Sequence, residues 1–179
     1  GTATEDQVLT AGHTLADEDG LGPISHQWHR DGVAIDGATS STYTLTQADV
    51  GTAITVTASY TDTPLNNAGT AESVTSDPTA AVVNVNDAPT GTVTISGTAT
   101  EDQTLTASNT LADIDGLAAI SYQWNRDGAA INGATGSTYT LTQEDISWQI
   151  TVTASYTDGG GNLESFTSDP TLAVADAID

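Results

Sequence analysis

The sequence predicts an all-β fold of two tandem antiparallel β-sandwich domains, residues 1–86 and 87–179, and three observations carry that prediction. The first is an internal repeat: "GTATEDQVLTA" at Gly1 returns as "GTATEDQTLTA" at Gly97, "ISHQWHRDG" returns as "ISYQWNRDG", and "ITVTASYTD" recurs unchanged. The second is a hydrophobic period of two, as where Ile120, Tyr122 and Trp124 alternate with Ser121 and Gln123. The third is composition. Threonine is abundant, Gly, Asp and Asn punctuate the apolar runs, and no stretch keeps a 3.6-residue period long enough for an amphipathic helix.

Taken in order, each element has a local reason. "TGTVTISG", Thr90 to Gly97, reads as an opening strand of the second repeat, and its counterpart in the first repeat is expected to precede Gly1, where the sequence starts too late to include it. Leu105, Ala107 and Leu111 mark the next strand, and Ile120 to Trp124 the one after, closed by the turn residues "RDG". Ile150, Val152, Ala154 and Tyr156 alternate with Thr and Ser in a long central strand. Beyond it the repeats differ in length. "TPLNNAG" in the first is a longer loop than the "GGGN" hairpin tip in the second, and Asp77-Pro78 realigns with Asp169-Pro170. No helix follows "GGGN", so it is no phosphate loop. "TLAVADAID" matches "TAAVVNVND", so the pattern breaks off inside a repeat at both ends, which predicts a longer array.

Charge narrows the function. Twenty-four carboxylates face two arginines, for a formal charge of −22. Such a chain repels nucleic acid and anionic lipid. No apolar run approaches the roughly 20 residues of a membrane helix. There is no cysteine to form a disulfide or a soft metal site. The acidic groups read either as a solvated surface or as clusters awaiting divalent cations.

Each repeat resembles an immunoglobulin-like domain of the kind found in large bacterial surface adhesins, on Trp28 and Trp124 followed by "RDG", and on "YTLTQADVG" and "YTLTQEDIS" leading into the long strand. Where that family carries a disulfide, Leu9 or Ala11 and Val56 would pack on Trp28 instead. The resemblance implies a place for each acidic motif. "TEDQ", with Glu5 and Asp6 or Glu101 and Asp102, and "QAD" or "QED", with Asp49 and Asp145, fall at the C-terminal end of a domain. "LADEDG" and "LADIDG", with Asp17 and Asp19 or Asp113 and Asp115, and "SYTD", with Asp62 or Asp158, fall at the N-terminal end.

The linker "NVNDAP" is similar to that of cadherins, matching at Asn84, Asn86, Asp87 and Pro89, with Asn84 where an aspartate is usual. The likeness implies calcium at the junction, held by Glu5, Asp6, Asn84, Asn86, Asp87, Asp113, Asp115 and Asp158. Calcium suits the donors, because it takes six to eight oxygens at about 2.3–2.6 Å and Asp-x-Asp-Gly aims alternate carboxylates at one point. The function implied is that of calcium-stiffened spacer repeats of an RTX-type or biofilm adhesin. They would be extracellular and monomeric, with neighbouring repeats of the same polypeptide as partners and a host or surface ligand elsewhere in the parent.

Other readings stand beside these. Asp17 and Asp113 serve equally as turn caps, and Asp49 and Asp145 as corner residues bonded to backbone. Arg30 and Arg126 are expected to pair with Asp31 and Asp127 in their turns. His13, His26 and His29 become Asn109, Tyr122 and Asn125 in the second repeat, which speaks against a catalytic or zinc site. The alternative function is a carbohydrate- or protein-binding sandwich. Its contact would be Trp148, which stands where the first repeat has Thr52, or the "TPLNNAG" loop.

Overall fold

The computed structural model describes residues 1–18, 20–62 and 69–177, so most of the "TPLNNAG" loop, and Asp19, lie outside the described residues. The chain divides into two compact units, Gly1–Val85 and Asn86–Asp179. Both are built from antiparallel sheets with no α-helix among the described residues.

In the first unit β1 (Val8–Thr10) pairs with β4 (Thr42–Thr44), and the facing sheet has the order β3-β2-β5-β6. Its strands are β2 (Ser25–Arg30), β3 (Val33–Ala34), β5 (Ile54–Thr61) and β6 (Ala71–Thr75). In the second unit β7 (Val93–Ser96), β8 (Thr104–Asn109) and β11 (Thr138–Thr140) form one sheet in the order β11-β8-β7. The other runs β10-β9-β12-β13, from β9 (Ser121–Arg126), β10 (Ala129–Ala130), β12 (Ile150–Thr157) and β13 (Leu163–Thr167).

The period-two pattern does what it should. In β12 the apolar set Ile150, Val152, Ala154 and Tyr156 turns inward and is buried, while the Thr and Ser between them face outward and are half-exposed. Trp124 is fully buried among Leu105, Leu141 and Val152, its indole N–H donating to the Gly136 carbonyl at 2.9 Å. Trp28 repeats this with Ser40, in one core cluster with Leu9 and Val56.

Each unit has one corner built on a buried aspartate. A 3-10 turn over Gln143–Asp145 precedes β12, and Asp145 is fully buried there. Its carboxylate accepts the Thr142 N–H at 2.8 Å, the Tyr139 hydroxyl at 2.8 Å and the Arg126 Nε–H at 2.8 Å. Asp49 makes the same bonds with Thr46, Tyr43 and Arg30. The corner role expected of these two residues is thus the one they play.

The arginines' partners differ from expectation. Arg30 pairs with Asp49 and Arg126 with Asp145, whereas Asp31 accepts the Ala53 N–H at 2.9 Å. Asp31 and Asp127 sit at positive φ in their turns, and Arg30 and Arg126 end strands whose side chains reach the neighbouring corner instead. A buried carboxylate gains more from a guanidinium than an exposed one does.

Burial alone would raise the Asp145 carboxyl, but the Thr142 N–H, the Tyr139 hydroxyl and Arg126 outweigh it and hold its pKa below the usual carboxylate value. Asp49 is held down in the same way. A depressed folded-state pKa stabilises above the unfolded value of about 3.9, and that contribution is lost as pH falls below it. Urea midpoints at high salt, where the general repulsion of the chain is screened, are therefore expected to fall as pH drops below about 4. Asp145→Ala should cost the second unit about 2–4 kcal/mol at neutral pH and reduce its acid dependence, leaving the share that Asp158 contributes. An unaltered acid profile in that variant would remove the corner from the account.

Candidate metal centre

The acidic motifs of each unit organise themselves around main-chain N–H groups. In the first unit "TEDQ" forms a tight turn in which Asp6 takes a positive φ of 62° and donates its N–H to the Leu45 carbonyl. A parallel bridge between Thr4 and Val83 ties the turn to the end of the unit. Glu5 is thereby buried, at 3% exposure, and its carboxylate accepts the Val85 N–H at 3.2 Å. Asp6 itself is exposed and shapes the turn.

The second unit repeats this turn. Thr100 bridges Ala175, Asp102 has φ 61°, and Glu101 accepts the Ala177 N–H. Burial, reinforced by the negative charges of Asp102 and Asp176, pushes the Glu101 carboxyl up despite that bond.

At its other end the second unit gathers the "LADIDG" loop. The Asp115 N–H folds back onto the Asp113 carboxylate at 2.9 Å, and Gly116 at φ 107° lets the chain leave sharply. Asp113 is fixed on its other oxygen by the Tyr156 hydroxyl at 2.6 Å. Burial, then the bond to Asp113, drives the Tyr156 pKa up. Asp115 is buried, at 7% exposure, and accepts the Asp87 N–H at 2.7 Å. Asp87, Thr90, Asp113 and Ile114 border a shallow depression.

Asn86 is exposed and bonded twice, donating to Glu164 at 3.1 Å and accepting from the Asn162 amide at 2.5 Å. Asp158 is buried but turned to its own hairpin tip, where it accepts the Asn162 N–H at 2.7 Å and the Asn162 side-chain amide at 2.9 Å. Those bonds, the side-chain one foremost, lower its pKa. Asn84 is half-buried. The second unit thus brings Asp87, Asp113 and Asp115 together and gives Asn86 and Asp158 to a neighbouring amide network. Glu164 and Asn162 join that network without having been picked out from sequence. The "GGGNLES" stretch that carries them reads only as a hairpin tip.

The first unit has a related loop, with the Tyr60 hydroxyl donating to Glu72 at 3.2 Å and to Asp17 at 3.4 Å. Asp62 there accepts the Thr70 N–H, as Asp158 accepts that of Asn162. Compared with protein-family models and with curated proteins, the chain matches none.

Asp115→Ala removes the acceptor that holds the Asp87 amide. Hydrogen exchange at that amide should quicken by about tenfold or more, since bonds to charged acceptors are the stronger kind. Exchange at wild-type rate in the variant would show that the loop does not order this part of the chain.

Proposed function

We propose that the chain is a pair of spacer repeats from a long extracellular bacterial adhesin, with calcium stiffening the place where one repeat passes into the next. One observation carries the reading. A buried carboxylate of each unit holds the connecting backbone, Glu5 at Val85 and Asp115 at Asp87, with Asn86 alone between those two residues. Two residues of extended chain span at most about 7 Å, so covalent continuity by itself brings both acids close to Asp87.

Glu5 at Val85, and Asp115 at Asp87 together with Asp87 itself, are the acids this reading assigns to the ion. The donors are hard oxygens, with no cysteine in the chain, which suits calcium or magnesium and disfavours zinc or copper. Calcium fits better, because a set of carboxylates, amides and carbonyls on loops tolerates its irregular six-to-eight coordination. Like charges 4 Å apart repel by about 4 kcal/mol at an effective dielectric of ~20, and a divalent ion reverses the sign. Rigid joints would let stacked repeats act as a rod, the physical requirement of a spacer.

The second reading, a ligand-binding sandwich, has one observation in its favour. Trp148 is 47% exposed beside Arg126, Asp127 and Ala129. It supplies one indole where sugar platforms ordinarily combine several aromatic faces.

X-ray scattering through a calcium titration tests the spacer. The maximum dimension should rise and the profile sharpen, with half-saturation at about 10⁻⁴–10⁻³ M, and a double Asp87→Asn, Asp115→Asn variant should need at least about tenfold more calcium. Identical profiles in calcium and in chelator would overturn the reading. Strong binding on a glycan array, lost in Trp148→Ala, would install its rival.

A further inference from the structure

The two units are close copies, so a run of changes confined to one corner is informative. Just ahead of the long central strand the first unit reads Gly51-Thr52-Ala53 and the second Ser147-Trp148-Gln149. Thr52 is half-buried, and its hydroxyl donates to the Asp49 carbonyl at 2.6 Å. Trp148 gives up that bond and is 47% exposed, whereas Trp28 and Trp124 are buried. Ser147 adopts φ 71°, a left-handed conformation that Gly51 takes without steric cost at φ 76°. None of this improves the fold. A polar bond is lost, backbone strain is gained and an indole is left in water.

The surroundings of that indole are acidic. It borders a depression of about 270 Å³ with Arg126, Asp127 and Ala129, and Ala129 is smaller than the Val33 that holds its place in the first unit. Arg126 is already engaged, with Asp145 at 2.8 Å and with Glu144 at 3.4 Å. Glu144 replaces Ala48, and its side chain is 80% exposed. Asp127 is exposed too. In the first unit the Ala53 N–H holds the Asp31 carboxylate, and among the described residues no such bond holds that of Asp127. Asp127, Glu144 and Asp145 outnumber Arg126, so the indole lies in a negative field.

We propose that Trp148, Asp127 and Glu144 form a docking point for an arginine side chain on an exposed segment of a basic partner protein. A guanidinium stacks flat on the electron-rich face of an indole and pairs through its edge with a carboxylate. Charge selects this occupant over the others. A second copy of the chain carries its own formal charge of −22 and is repelled, an anion is repelled likewise, and a neutral sugar gains nothing from the field. The first unit, with Thr52 and Ala48 at these positions, lacks the site. The site lies wholly within the second unit and uses none of the acids assigned to calcium, so it stands or falls apart from the spacer reading.

The test uses the full 179-residue protein in chelator, at about 150 mM salt so that attraction between distant charges is screened. The peptide acetyl-Gly-Arg-Gly-amide is titrated while NMR follows the Trp148 indole N–H and the amides of Asp127, Gly128 and Ala129. These resonances should shift together and saturate at millimolar peptide. The same peptide with citrulline in place of arginine should bind at least about fivefold more weakly, and so should the arginine peptide to Trp148→Thr, because a cation over an indole is worth about that factor. Trp148→Thr restores the residue with which the first unit folds, and Asp127→Asn should weaken binding to a similar degree. Four results would each overturn the proposal. They are no shift at these resonances, equal affinity of the citrulline peptide, equal affinity in Trp148→Thr, and shifts spread over the acidic loops of both units. Saturation of the same resonances by methyl glucoside, or their movement with protein concentration alone, would give the site to a sugar or to a second copy and equally overturn it.

Discussion

An acidic side chain accepting a main-chain N–H is the interaction on which this molecule rests. With 24 carboxylates and two arginines, nearly every acid must find its positive partner elsewhere than in a cationic side chain. The backbone supplies it. Asp49 and Asp145 hold the corners before the long strands, Asp62 and Asp158 hold hairpin tips, Asp113 folds its own loop, and Glu5 and Asp115 hold the chain at Val85 and Asp87. Each such bond lowers the cost of a charge that is partly removed from water. The two arginines are spent at the most deeply buried acids, where the need is greatest.

The device has a limit. One N–H satisfies part of a carboxylate and neutralises none of its charge, so several acids gathered in one place still repel. That is where a cation enters the proposed function. The N–H bonds fix the oxygens in advance, so an ion would find ligands already ordered. Such preorganisation makes weak individual donors into a usable set.

Much of the fold was legible in the sequence because its causes are local or repetitive. Alternation at Ile120 to Trp124 and Ile150 to Tyr156 fixes which face is buried, and the repeat lets each assignment be read twice. The opening strand over Val93–Ser96 followed from the same kind of pattern, whereas the corner role of Asp49 and Asp145 was one of two readings and came from the resemblance in fold. Arg30 and Arg126 were harder. Their partners lie 19 residues away across a sheet, and the adjacent Asp31 and Asp127 are the more obvious choice until strand pairing is known. The amide network of Asn86, Asn162 and Glu164 was invisible for the same reason, since it depends on where a hairpin tip swings. Which atom of an acidic motif faces which N–H is a property of turns, and turn geometry is only loosely encoded by residue type.

Two near-identical repeats also act as an internal control. Positions that share sequence but differ in burial, such as Val56 and Val152, report on neighbours rather than on themselves. The cation at the clustered acids is open to direct observation in crystals grown in millimolar calcium and measured for anomalous scattering. One strong peak is expected beside Asp87, with carboxylate oxygens of Glu5, Asp87 and Asp115 at about 2.3–2.6 Å from it. Ordered carboxylates at all three residues with no peak among them, in a crystal holding calcium elsewhere, would contradict it.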